Sequence, residues 1–344
     1  MPLTLGYSAL HGVLKTPDAI HLLEEMLVHE AAGRTLASPK FITDFEGGSM
    51  RILFAADYEA GYFATKAYHS VKGAGPRYIV TLYRLQTGEL LALLDGSLIT
   101  DLRTGAASGV VARRVPVKAP ITVGVIGSGN QARTQLESLA AVYPLASAAV
   151  YSPTARNREL FAAEMSVKLA IPIKVEASAE AAARGHSVVV TASSSRSPDP
   201  VLRGAWLDRC RLLCAVGNTR PQFAEVDTQC FADAALVVGD TEHAFGEAGE
   251  LRRAAELRAL PQSKRATLAQ LVSGEIKVPR EGLITFKSVG SALQDLALAG
   301  HYYELLGERS GVPTAADLAS VRQPLQEPAR KPPARTAGST KPKG

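Results

Sequence analysis

The rhythm of apolar residues along this chain changes near residue 120. From about 40 to 95 they alternate with polar ones in short runs, Met50 to Ala55, Tyr62 to His69, Arg77 to Arg84 and Leu90 to Leu94. Glycine-containing turns such as Lys72–Pro76 and Gln86-Thr87-Gly88 separate them, which predicts a mainly antiparallel sheet. Ahead of it, Thr16-Pro17-Asp18 reads as a helix start with a capping hydroxyl and a proline in the first turn. Ala19, Leu22, Leu23 and Met26 form that helix's apolar stripe, and Gly33 ends it. A second helix is expected from about Asp101 to Arg114, with Pro116 and Pro120 marking a linker. Beyond residue 120 the apolar runs become continuous, at 121–126, 147–151, 187–192, 211–216 and 235–239, with helical stretches between them, notably 155–170. That alternation predicts a doubly wound parallel sheet. Leu283 to Gly290 and a long helix from about Ser291 to Leu306 follow, and no internal repeat is found.

Within this rhythm, Ile121 to Ala132 (ITVGVIGSGNQA) carries the most chemistry. A β-branched strand runs into Gly127, Ser128 and Gly129, and a helical pattern opens at Asn130 and Gln131. Gly127 permits a tight turn, and Gly129 brings bare backbone close to a ligand. Ala132 is small enough for the helix to pack on the strand. Amide N–H groups and the positive end of the helix dipole would hold a pyrophosphate there.

Composition then limits the partners. With 344 residues, 46% apolar and 21% charged, the chain is long enough for two soluble domains. The formal charge of +5 suggests nucleic acid only until it is located. Residues 322–344 hold six lysines and arginines, one acid and five prolines, leaving 32 basic and 32 acidic residues in the rest. A neutral body excludes a basic nucleic-acid-binding face, and the tail reads as a solvated extension. Cys210, Cys214 and Cys230 are odd in number and lack histidines at metal-ligand spacing, so no metal site is expected, and they read as reduced residues of a cytoplasmic protein. No run reaches the length of a membrane span, and the first residues lack a signal peptide's pattern.

Four stretches in this order, DGSLITDLRTGAAS at 95–108, GSGNQA at 127–132, EAGEL at 247–251 and ITFKSVGSALQD at 284–295, resemble the ornithine cyclodeaminase/mu-crystallin family. The resemblance runs from about residue 30 to 306. It implies an NAD(P)-linked enzyme acting on amino acids or their imines, usually a homodimer. The implied fold is α/β, with a Rossmann-type nucleotide domain at 119–300 inserted in a smaller α+β substrate and dimerisation domain at 1–118, completed by 301–321. Lys66 matches the family's sheet lysine, the expected catalytic residue. Arg103 matches the arginine that grips the substrate carboxylate, and Arg34 is expected to assist it, with Arg51 as competitor. A carboxylate favours a planar guanidinium that binds it in two places, and Arg103 is expected near a helix start, where amide donors would add to it. Thr191 and Val289 are expected beside the cofactor.

The stretch VGNTRPQFAEVD at 216–227 departs from the cyclodeaminases, which carry an acid soon after the equivalent of Gly217. Thr219 stands there, and a threonine cannot serve as a carboxylate base. Ketimine reductases of the family carry a small hydroxyl residue at that point, followed by Arg-Pro as in Arg220-Pro221. Asp227 and Asp240 are the outside candidates for an acid. The expectation is therefore reduction of cyclic ketimine carboxylates, Δ1-pyrroline-2-carboxylate or Δ1-piperideine-2-carboxylate, to L-proline or L-pipecolate. Ornithine cyclodeamination, alanine- or opine-type dehydrogenation and a non-catalytic crystallin-like binder are the alternatives. After the second strand of the nucleotide domain stands Ser152, followed by Arg156 and Arg158, where NAD enzymes carry an acid for the ribose hydroxyl. That favours NADP, with NAD possible.

Overall fold

A computed structural model describes residues 2–307. Two sheets divide them. The first holds β1 (Leu3–Leu5), β2 (Thr35–Ala37), β3 (Phe41–Phe45), β4 (Gly48–Asp57), β5 (Tyr62–Val71), β6 (Gly75–Arg84) and β7 (Leu90–Asp95). Its order is β1-β7-β6-β5-β4-β2, with β3 pairing the other end of β4. All pairs are antiparallel except β1 on β7. Alternation does the sorting. Leu53 and Ala55 of β4, Ala64 and Lys66 of β5, and Val80 and Leu82 of β6 are buried, while Met50 and Ile52 on the opposite face are exposed.

The second sheet holds β8 (Ile121–Ile126), β9 (Leu145–Tyr151), β10 (Ile173–Val175), β11 (Val188–Thr191), β12 (Leu212–Ala215), β13 (Ala234–Gly239), β14 (Arg265–Thr267) and β15 (Leu283–Lys287). The strands run parallel in the order β10-β9-β8-β11-β12-β15-β13-β14. The central strands β8, β11 and β12 are buried nearly throughout, as continuous apolar runs require. The doubly wound expectation holds, and β10 and β14 are short edge strands that the periodicity did not single out.

Two helix starts differ from expectation. The helix Thr16–Ala31 begins with Lys15 as its N-cap, so Thr16 lies inside the first turn and makes no capping bond. Pro17 is tolerated there because an early N–H has no partner in any case. Gly33, at φ +68°, turns the chain out. The helix expected from Asp101 runs instead from Gly96 to Ala112, because the Asp95 carboxylate accepts from the Ser97 N–H at 2.8 Å and caps it. Arg103 therefore lies about two turns inside the helix, and the expected contribution of free N-terminal amides is withdrawn.

The closing helix Ala292–Gly307 packs against β4, β5 and β6 and against the helices Thr16–Ala31 and Gly96–Ala112. The chain has thus returned to the first sheet by residue 292, earlier than the expected boundary at 300. Residues 308–321 and the basic tail at 322–344 lie outside the described residues. One apolar cluster joins the halves, with Ile20, Leu94, Ile99 and Val110 continuous with Leu136 and Leu139. Each fully buried aliphatic side chain contributes roughly 1.5–3 kcal/mol.

Candidate active site

Gly127 ends β8 at φ +121°, where a Cβ would stand 2.4 Å from the Ala192 carbonyl oxygen, so both conformation and space demand glycine. Gly129 differs. It is the N-cap of the helix Asn130–Val142, and a Cβ there would meet no atom within 4 Å. The turn is open on the side a phosphate would occupy. Ser128 Oγ lies 2.9 Å from Ser152 Oγ, tying the turn to the end of β9, and Ala132 is fully buried at the helix–strand contact. Thr191, also fully buried, ends β11 next to β8 and leaves its hydroxyl without a partner. These residues fit a dinucleotide with its pyrophosphate on the Gly129–Gln131 amides. Arg156 is exposed and unpaired in the first turn of the next helix, Ala155–Leu169, whereas Arg158 donates to the Ser152 carbonyl at 2.8 Å.

Asn130 and Gln131 contribute more than backbone. Their side-chain amides donate to the Asp101 carboxylate at 3.3 and 2.7 Å. The two helices meet where a Cβ on Gly105 would be 2.6 Å from the Thr134 carbonyl oxygen.

Across that seam is a group of buried cations. Lys66 Nζ donates to Asp295 Oδ1 at 2.7 Å and to Thr100 Oγ1 at 2.6 Å, and it lies 5.7 and 5.4 Å from the Tyr68 and Tyr78 ring centroids. Asp295 also faces Arg103, whose Nε is 3.5 Å from the same oxygen and whose Nη1 donates to Gln294. The Arg103 guanidinium packs against Gly290, where a Cβ would come within 2.6 Å of it. Sheet lysine, helix arginine and closing-helix aspartate thus meet from three elements. Burial pushes the Tyr68 hydroxyl up to about 12, so it stays protonated at ordinary pH.

Arg34 does not join this group. It opens β2, which pairs the Asp57 end of β4, while Lys66 lies opposite Leu53. Its Nε pairs with exposed Glu59 at 2.7 Å, and its side chain is 54% exposed. The expected second carboxylate arginine is corrected to a surface ion pair. Two cations missed or left secondary by the sequence reading are in place instead. Arg51 lies on the Lys66 face opposite Tyr68, with its guanidinium 5.3 Å from that ring centroid. Lys40, its side chain 4% exposed, donates to Glu247 at 2.8 Å and to the Val289 carbonyl at 2.5 Å. Burial pushes the Lys40 ammonium below its ordinary range, and Glu247 opposes that shift. A charged residue in phase with the buried face of an apolar strand was the available signal for Arg51. Asp295 lay in plain view in the 284–295 stretch, but nothing local connects it to residue 66.

Thr219 follows β12 and lines a cavity of about 190 Å3 with Lys40, Ile42, Pro221, Gly246, Glu247 and Arg252. Its loop is framed by buried charge. Glu225 accepts from the Ser193 and Gly217 N–H groups at 2.6 and 2.7 Å, and Asn218 donates to Glu250 at 2.5 Å. Fully buried Lys287 donates to the Asn218 carbonyl at 2.6 Å and faces Glu250 at 3.3 Å. Desolvation raises the Glu225 pKa, against the pull of Lys287. The outside candidates for an acid are both committed elsewhere. Asp240 accepts from the Val289 and Gly290 N–H groups, Ser288 and Gln294. Asp227 accepts from the Gly204 and Cys230 N–H groups. Val289 is thus fixed between Asp240 and Lys40, at the point where the chain leaves the parallel sheet.

Comparison with known proteins identifies the family and the fold. The model of the ornithine cyclodeaminase/mu-crystallin family matches residues 7–310. An alanine dehydrogenase of Archaeoglobus fulgidus is 29% identical over 312 residues, covering 88% of this chain and 94% of its own. A Delta(1)-pyrroline-2-carboxylate reductase of Bacillus cereus is 34% identical over 239 residues, covering 67% of this chain and 71% of its own. The Thermococcus litoralis Delta(1)-pyrroline-2-carboxylate reductase, solved with NADH and L-proline, superposes with a TM-score of 0.82 at 29% identity, covering 88% of this chain and 96% of its own. Among the described residues no helix is long and apolar enough to cross a membrane.

Proposed function

The chain belongs to the ornithine cyclodeaminase/mu-crystallin family, and from that premise we propose that it is an NAD(P)H-dependent reductase of cyclic ketimine carboxylates, taking Δ1-pyrroline-2-carboxylate or Δ1-piperideine-2-carboxylate to L-proline or L-pipecolate. The observation that carries this reading is the loop after β12. By the expected alignment Thr219 takes the place of the deaminase acid, and the two aspartates that could have replaced one are held by backbone amides. Relatives named for reduction of this imine support it.

The geometry supports the following roles. Arg103, fixed by Gln294 and Asp295, binds the substrate carboxylate in two-point fashion. Lys66 contacts the same carboxylate and holds the proton that keeps the imine nitrogen cationic, with Asp295 and Thr100 fixing its ammonium. Thr219, which lines a separate hollow with Lys40 and Glu247, is assigned the orienting of the ring. The amides at Gly129, Asn130 and Gln131, with Ser128, Ser152, Thr191, Ala132 and Val289 around them, would hold the dinucleotide. When bound in reduced form it supplies the hydride. Arg156, unpaired beside Ser152, favours a 2′-phosphate and hence NADPH. Holding imine and nicotinamide in register supplies much of the acceleration.

We also assign a homodimer to the outer face of the first sheet, where Phe41, Phe45, Met50 and Ile52 are exposed around a shallow hollow of about 270 Å3. Sedimentation of wild type and Ile52→Glu tests it, with a monomeric wild type as the refuting result. For the reaction, purified protein is mixed with NADPH and each imine, and cofactor oxidation is followed by absorbance. Oxidation with formation of proline or pipecolate is expected. Ammonia release from ornithine without reduction of either imine overturns the reading.

A further inference from the structure

Six lysine and arginine side chains are buried among the described residues: Lys40, Arg51, Lys66, Arg103, Arg133 and Lys287. Five of them face a carboxylate. Lys40 meets Glu247, Lys66 and Arg103 share Asp295, Arg133 meets Glu164, and Lys287 meets Glu250. Arg51 has none. Its guanidinium reaches only Ser49 Oγ, at 3.4 Å, its Nε has no partner, and its face lies against Tyr68. A buried cation without a counter-ion is costly. Here the cost is compounded, because Arg220, from the loop that bears Thr219, donates to the same Ser49 hydroxyl at 2.9 Å. The nearest acid to Arg220 is Asp44 at 3.8 Å, which is 65% exposed. Arg51, in turn, disfavours the charge on Arg220.

Two guanidiniums converging on one neutral hydroxyl, one of them buried and unpaired, describe an anion-binding site. Its position sets the ligand. Lys66 and Arg51 lie on the same Tyr68 ring, at 5.7 and 5.3 Å from its centroid, so the extra site adjoins the pocket of Lys66 and Arg103. The first pair already provides for the α-carboxylate.

We propose that Arg51 and Arg220 bind a second carboxylate, so that the enzyme takes, more tightly than the monoacid imines named above, imino acids and the amino acids formed from them that carry two acid groups. This rests on the imine-reduction reading for its chemistry and not for its binding. Arg51 contributes from the sheet and Arg220 from the nucleotide half, so a diacid would bridge the two. Guanidinium–carboxylate bonds at a partly desolvated site change affinity by roughly tenfold to a hundredfold.

The test is calorimetric binding to the full-length protein, with NADP+ present, of L-aspartate, L-glutamate and L-2-aminoadipate against 2-aminobutyrate, norvaline and norleucine. These pairs differ by one carboxylate and sample its reach. At least one diacid is expected to bind tenfold or more tightly than its partner. The preference should vanish in Arg51→Leu and in Arg220→Leu and persist in part in Arg51→Lys. If Arg51→Leu does not fold, the less buried Arg220 decides. The proposal is overturned if no diacid is preferred, or if the preference survives both leucine variants. Imine reduction is assayed on the same preparation, so a protein that prefers diacids without reducing any imine refutes the reaction and leaves the second carboxylate site standing.

Discussion

On the roles proposed above, the two sheets would hold their ligands by different means. The parallel sheet offers main chain, with the Gly127 turn, the open Gly129 position and the amides that begin the following helix. The antiparallel sheet offers side chains, with Lys66 and Arg51 standing on its buried face and Arg103 and Asp295 brought over it by helices. Main-chain recognition needs few particular side chains and is carried by one continuous segment. Side-chain recognition needs charges from several segments, most of them held by a carboxylate and Arg51 by none. The first is robust and generic, whereas the second is costly to build and sets which substrate is taken.

The largest test of that contrast is Lys66→Met. It should lower kcat by roughly 10^2 to 10^4-fold while the dissociation constant for NADPH stays within about twofold, measured by steady-state kinetics and cofactor fluorescence titration. Equal loss of both would merge the two halves into one site. Next is Lys287→Met, which strands Glu225 and Glu250 in the interior. A loss of about 3–5 kcal/mol is expected by urea unfolding, showing that charge in the nucleotide half serves stability. A third variant isolates main-chain recognition. Because a side chain at Gly129 meets nothing in the protein, Gly129→Val should melt within a few degrees of wild type yet bind NADPH about tenfold or more weakly. An unchanged affinity would remove the phosphates from this turn.

The smallest effect concerns the seam. Burial, with repulsion from Asp240, pushes Glu30 from 4.5 up to about 7. A raised carboxylate pKa means that its neutral form favours the fold below 4.5, and that this contribution is lost as pH rises through about 7. Glu30→Gln, which cannot ionise, should therefore melt a few degrees above wild type at pH 8 and level with it at pH 4.5. A gain of the same size at both pH values would trace the effect to packing.

The contrast also explains what was legible in the chain. Ile121–Ala132 reads directly because strand, turn and helix are contiguous and each imposes its own residue types. The strands β4 to β7 read well because alternation is local. The charged site does not. Arg34 matched a family position, but the chain between it and Lys66 carries β2 and β3, and pairing sends Arg34 to the surface and Arg51 to the pocket. Asp295 pairs with a residue 229 positions away, and no periodicity carries that information. The setting of Arg103 differs from the sequence expectation because Asp95 caps the helix and starts it at Gly96.

The contact between the helices Gly96–Ala112 and Asn130–Val142 has a consequence for how this molecule can change. At Gly105 the arginine-bearing helix presses on the Thr134 carbonyl, and a Cβ on Gly109 would stand 2.5 Å from Ser138 Oγ. Two backbones in direct contact act as a gauge block between the phosphate turn and the carboxylate grip. The reach from one to the other is settled during folding, with no flexible element between them to adjust it. On the proposed roles, substrates of different length would be fitted away from this contact, beside Arg51 and Arg220. A larger residue at Gly105 would instead throw the whole instrument out of calibration.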